Sequence, residues 1–264
     1  MNIICASICY RGFVEDEILA TLEFAPRIGY RLMEIHGPMT WTVQAVDAFD
    51  LPGIRARIEA SAMRCAGIYT PGWGGKNEAD VREHARAIAQ CAHFAAELGA
   101  HHVTSTGASP RTQEGALDRV LDCVRQVLET VPSTSPVKLT LEPHFGNVLQ
   151  QPEDFERVIA EFDDPRLGLC VDTGHFHSAG VDTVAFIRRF APRIYAVHLK
   201  DHLGTISVGI GRGEIDLAAE IAALRETDYQ GDLTIELEVE DPQNLPRYTE
   251  EAYAYVSGLL GTKL

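Results

Sequence analysis

The chain has 264 residues, 45% hydrophobic and 23% charged, the balance of an ordinary soluble globular protein with room for one large domain. Its 38 acidic against 23 basic residues leave a formal charge of −15, which repels a phosphate backbone and argues against a nucleic-acid partner. No apolar run approaches the roughly 18 residues of a membrane span, and the six cysteines show no CxxC pair or framework spacing, which points to a reducing cytoplasm.

In chain order, the start from Met1 to Ser7 is apolar, lacks the basic leader of a signal peptide, and reads straight into a first strand over 2–9. A helix at 14–28, a strand at 31–36, a helix at 50–61 and a strand at 63–69 follow. The segment 77–98 is the clearest helix, with Val81, Ala85, Ile88, Ala89, Ala92 and Ala96 at helical spacing. The alternation continues with strand 101–105, helix 111–130, strand 137–142, helix 152–161 opened by Pro152, and strand 167–172. It ends with helix 181–190, strand 194–200, helix 216–227, strand 232–238 and a closing helix at 243–260 that starts beside Pro242. Strands alternating with longer helices predict βαβ units and a parallel sheet. A (β/α)8 TIM barrel needs about 250 residues, so the expectation is one α/β barrel domain over 1–264. The longest loops, near 37–49, 70–76, 106–110, 143–151 and 201–215, all follow strands, on the face where such barrels keep their chemistry.

Four of the apolar stretches end on a residue able to hold a divalent metal: Leu139 to Glu142, Leu167 to Asp172, Ile194 to His198 and Leu233 to Glu236. Parallel strands whose same ends carry such residues bring them to one polar centre. Side chains alternate along a strand. With Leu139, Leu141, Leu167, Leu169, Val171, Tyr195, Val197, Leu233, Ile235 and Leu237 facing the helices, Thr140, Glu142, Gly168, Cys170, Asp172, Ala196, His198, Lys200, Thr234, Glu236 and Glu238 face inward. The inward neighbours beneath the four termini are small, leaving room at the barrel mouth. Three carboxylates and one imidazole suit one divalent ion, Mn²⁺, Mg²⁺, Co²⁺ or Zn²⁺; without a cation or shared protons the acids would repel one another.

The motifs Leu141-Glu142-Pro143-His144, Val171-Asp172-Thr173-Gly174-His175, Val197-His198-Leu199-Lys200-Asp201, and Gly211-Arg212-Gly213-Glu214-Ile215-Asp216 followed by Gly231-Asp232-Leu233-Thr234-Ile235-Glu236 resemble the xylose-isomerase-like barrel superfamily. This is a group of sugar and sugar-phosphate isomerases and epimerases, with inosose and 3-dehydroshikimate dehydratases as relatives. The resemblance covers most of 1–245 and is strongest after 137. It implies that Glu142, Asp172, His198 and Glu236 are metal ligands and that the two glutamates also act as an acid/base pair. It implies that His175 touches a substrate oxygen and that Arg212 binds substrate, although the loop carrying Arg212 is placed differently from that of the epimerases. Members are often dimers or tetramers, so a homo-oligomer is compatible with it. Signatures of hydroxypyruvate isomerase and of true xylose isomerase are not evident near the N-terminus.

The chemistry expected is proton transfer beside a carbonyl through a metal-stabilised enediolate, Glu142 and Glu236 passing the proton. The substrate is a small carbohydrate or keto-acid. Lys200 adds positive charge; Glu34 and His36, inward at the end of the second strand, line the pocket, and His144 stands beside it. Trp41 and Trp73 stack on a sugar face or anchor their loops. Glycines 209, 211 and 213, with no helix start directly behind them, read as turn formers before phosphate binders. The rival activity is a lyase on an inosose, a dehydroshikimate-like acid or a keto-sugar acid. An abasic-site endonuclease shares the fold, but it needs further ligands for three metals and a basic face.

Overall fold

The computed structural model describes residues 1–36 and 42–261. Eight of its strands close into a barrel: β1 (Ile3–Ala6), β2 (Leu32–Ile35), β3 (Arg64–Tyr69), β4 (His102–Ser105), β5 (Lys138–Leu141), β6 (Leu167–Asp172), β7 (Ile194–Leu199) and β10 (Leu233–Ile235). They run in the order β1-β10-β7-β6-β5-β4-β3-β2, every neighbouring pair parallel. The helices between them are α1 (Glu17–Ile28), α2 (Val43–Asp47), α3 (Leu51–Glu59), α4 (Glu78–Leu98), α5 (Ala116–Thr130), α6 (Pro152–Glu161), α7 (Thr173–Ser178), α8 (Thr183–Phe190), α9 (Leu217–Glu226) and α10 (Leu245–Leu260). The fold is therefore the (β/α)8 TIM barrel that the alternation predicts. Among the described residues no helix is long and apolar enough to cross a membrane.

Outward-facing Met33, Ile35, Leu139, Leu141, Leu169, Val171, Val197 and Ile235 pack with the helices in one continuous core. A small separate cluster of Ile4, Leu32 and Ala66 lies inside the barrel. In α4, Asn77 starts the helix by accepting from the Ala79 and Asp80 amides at 2.9 and 3.1 Å. Val81, Ala85, Ile88 and Ala92 of that helix are buried as expected, and Ala95 continues the stripe. Ala96, one residue out of phase with it, is exposed.

Several local expectations shift. The first strand ends at Ala6, beyond which β1 has no register partner in either neighbour, and Ser7–Tyr10 coil into a 3-10 turn. The loop over 201–215 contains an antiparallel hairpin, β8 (Asp201–Leu203) with β9 (Ile206–Val208). Asp201 clasps its return, accepting from the Gly211 and Gly213 amides at 2.9 and 2.8 Å, so the glycine run forms a turn. Tyr195, expected against the helices, is the extra residue of a bulge where the β6–β7 register slips between Leu169 and Cys170. Its ring occupies the space a Cβ on Gly168 would need, at 2.2 Å. All six cysteines are buried thiols.

Glu220 of α9 is buried, hydrogen-bonds Thr183 of α8, and leaves Oε2 without a partner. Burial pushes its carboxyl up to about 8. The unfolded chain releases this proton near the ordinary 4.5, so between 4.5 and about 8 the folded state holds more protons and stability falls as pH rises. Glu220→Gln is therefore expected to raise the unfolding free energy at pH 8 by on the order of 2–3 kcal/mol, with the two proteins converging near pH 4.5. Urea titrations at both pH values test this; an equal gain at each would contradict it.

Candidate metal centre and substrate cleft

Glu142, Asp172, His198 and Glu236 converge at the C-terminal end of the barrel, each offering a ligand atom within 4.8 Å of the others. Local structure aims each of them. Asp172 closes β6 and caps α7 at once: Oδ1 accepts from the His175 amide at 2.7 Å, which leaves Oδ2 pointing into the cluster. The Thr173 hydroxyl donates to the Lys200 carbonyl at 2.7 Å and so ties α7 to the end of β7. Glu142 is anchored by its amide on the Ser105 carbonyl at 2.9 Å, and Tyr69 donates its phenolic O–H to Oε2. His198 Nδ1 lies 2.5 Å from Glu142 Oε1 and 2.8 Å from Glu236 Oε2.

The site is buried and densely charged. Glu142, Asp172, His198, Lys200 and Glu236 are each no more than 3% exposed. Burial raises the Glu142 carboxyl, against the pull of His198. Burial also acts on Glu236, but the ammonium of Lys200 and then His198 outweigh it and hold this carboxyl below the usual range. Lys200 Nζ lies 2.5 Å from Glu238, 3.1 Å from Glu236 and 3.4 Å from Asp172; these acids override burial and keep it charged. Burial, reinforced by Lys200 and His144, lowers the His175 imidazole well below its usual value, so it is neutral.

Asp172 Oδ2, His198 Nδ1 and Glu236 Oε2 are buried without an aligned hydrogen-bond partner. Orphaned acceptors from two carboxylates and one imidazole, converging beside the Glu142 carboxylate, fit a hard to borderline divalent ion. Above them opens a cleft of about 280 Å³ lined by His36, Tyr69, His144, His175, Lys200 and Glu238 among others. A larger groove of about 1030 Å³ runs beside Glu15, Asp16, Phe49 and Asp50; no ligand cluster converges there among the described residues, so the chemistry is read from the smaller cleft. Two smaller groups overlap the four-ligand cluster through His198, Glu34 with His36 and Glu142 with Cys170, and among the described residues the strands ending at Tyr69 and Ser105 add no ligand to any of the three.

Residues 22–257 match the model of the xylose isomerase-like TIM barrel family. The chain belongs to this family. The rhizopine catabolism protein MocC of Rhizobium meliloti is 26% identical over 240 residues, 75% of this chain and 72% of that protein. Inosose dehydratases of Geobacillus kaustophilus and Clostridium tetani are 32% identical over 133 residues and 28% over 141. These matches take in 43% and 46% of this chain but only 42% and 47% of the two dehydratases, so the chain spans less than half the length of either. The fold is shared with 3-keto-D-glucoside 4-epimerase from E. coli at a TM-score of 0.78 and 19% identity, over 98% of this chain and 99% of that one. It is shared equally, TM-score 0.78 and 15% identity, with the IOLI protein that binds a zinc atom, over 99% and 98% of the two chains.

Within this family member the expected site residues fall into two groups. His36, His144, His175 and Lys200 line the cleft, the rings of His144 and His175 only 3.9 Å apart and that of His36 stacked on Tyr69. Glu34 instead lies beneath His198 and takes no part in the cleft wall. Arg212 points away: it pairs with Glu251 at 2.6 Å and lies over the Tyr248 ring. Trp73 anchors its loop, fully buried and donating to the Thr140 carbonyl at 3.2 Å, while Trp41 lies outside the described residues. Tyr69 and His84, the latter bound to the Gly72 carbonyl at 2.6 Å, belong to the cleft without having been singled out in the sequence.

Proposed function

We propose that the chain is a divalent-metal-dependent isomerase or epimerase of a small, uncharged polyhydroxylated ketone. One observation carries this reading: Glu142 and Glu236 flank the same buried point from separate strands, and different neighbours support them. Tyr69 donates to Glu142, while Lys200 lies 3.1 Å from Glu236. Two carboxylates so distinguished suit removal and return of a proton at a carbon beside a carbonyl. Glu142, Asp172, His198 and Glu236 would hold the ion, which supplies Lewis-acid stabilisation of the charge that develops on the substrate oxygens. Neutral His175 hydrogen-bonds that oxygen, and His36 and His144 meet further hydroxyls. The cations on the cleft are already matched, Lys200 by three acids and Arg11 by Glu17 at 2.7 Å, which favours a substrate without phosphate or carboxylate.

The lyase reading has its own support. Lys200 and Glu238 form a second proton-bearing pair at the cleft, the kind of group that assists a departing hydroxyl, and relatives of the chain are named inosose dehydratases. One screen separates the two. Ketoses, inososes and keto-acids are pooled with Mn²⁺-loaded protein in D₂O and followed by NMR. Deuterium is expected next to a carbonyl, with a new epimer for the first reading and a dehydrated product for the second. Full chelation is expected to stop the exchange. Exchange that persists without metal, or a wholly inert pool, would refute the proposal.

A further inference from the structure

Glu34 is the acid of the barrel interior that the proposed chemistry leaves unused. It is 0% exposed, one layer below the ligand cluster, and three imidazoles converge on it. His36 Nε2 lies 2.8 Å from Oε1, His102 Nε2 2.8 Å from Oε2, and His198 Nε2 3.0 Å from Oε1. The backbone keeps this space open: a Cβ at Gly67 would stand 2.3 Å from His102 Nε2 and 2.8 Å from Glu34 Oε2. A carboxylate this deep would cost several kcal/mol if its neighbours donated nothing.

The His198 ring links the two layers. Its Nδ1 faces Glu142 and Glu236, its Nε2 faces Glu34 at 3.0 Å, and neither buried nitrogen has an aligned hydrogen-bond partner. A cation at Nδ1 needs the lone pair of that nitrogen, which places the ring proton on Nε2. Among the described residues, Glu34 Oε1 is the carboxylate oxygen within reach of that proton. We propose that Glu34 is a positioning residue: it accepts the His198 Nε2–H and so fixes the tautomer and ring angle that present Nδ1 to a divalent ion. His36 and His102 brace the carboxylate from either oxygen. The inference rests on the metal-centre reading of the four ligands above it.

The test titrates wild-type and Glu34→Gln protein with Mn²⁺ against a chelating indicator, and records ¹⁵N histidine spectra of the Zn²⁺-loaded wild type. The wild type is expected to take up one ion per chain. Folded Glu34→Gln is expected to bind it about ten- to hundredfold more weakly at the same stoichiometry. Glu34→Asp, a methylene too short, is expected not to restore affinity. The loaded wild type is expected to carry the His198 proton on Nε2. Affinity within about twofold of wild type in folded Glu34→Gln, a proton on Nδ1, or two ions per chain would overturn the inference alone. A wild-type chain that takes up no ion would remove the metal-centre reading together with it.

Discussion

Glu142→Gln and Glu236→Gln are each expected to lower epimerisation by about a thousandfold at saturating metal, close to 4 kcal/mol of barrier. The two variants should fail differently. With one acid gone, the other can still remove a proton from the epimer that faces it, so each variant retains deuterium wash-in from one epimer and loses it from the other. Glu142→Gln and Glu236→Gln should therefore be complementary. Glutamine at 142 can still accept from Tyr69, while glutamine at 236 gives up the charge that Lys200 faces. Exchange followed from each epimer in D₂O decides it. Variants that both exchange the same epimer, or that epimerise within about tenfold of wild type, would rule out a two-carboxylate mechanism.

The second large effect is on stability. Lys200 is 2% exposed and matches three acids at once. Lys200→Met leaves the buried Asp172 and Glu236 unmatched and takes the partner of the exposed Glu238, a change that costs about 3–5 kcal/mol. For a chain of this size that corresponds to roughly 10 °C in Tm. Because the surrounding acids raise the Lys200 amine above 10.5, its contribution is complete at neutral pH and fades only as pH climbs past that value. Added Mn²⁺ is expected to recover part of the loss, since a divalent ion supplies positive charge at the same point. Thermal unfolding with and without metal checks this; a metal-free variant as stable as the wild type would refute it.

Much of the cluster was legible because β5, β6 and β7 end on or within one residue of the side chains that matter and period-two alternation indicates which way each points. The slip beside Cys170 could have destroyed that reading, but the register resumes above it and sets Asp172 opposite His198. Alternation reports direction, not height. Glu34 and His198 both read as inward, yet nothing local tells that one lies a layer below the other. That follows from the pairing of Glu34 with Ala6 and Gly67, a property of neighbouring strands. Tyr69 stayed hidden because a tyrosine inside an apolar strand looks like core. The substrate role for Arg212 came from the resemblance alone, and its pairing with Glu251, 39 residues further along the chain, cannot be read locally.

Asp172 is the point where strand, helix and the proposed ion site share a single side chain. Asparagine, serine or threonine there could still begin α7, but would surrender the charge; glutamate would keep the charge, but is a poor starter for a helix. Position 172 thus answers to two masters, one folding and one chemical, and the imidazole of His175 is carried on the very turn that this carboxylate begins. Under the proposed function, losing the side chain at 172 altogether, as in Asp172→Ala, would weaken both the hold on an ion and the turn that brings His175 to the cleft wall.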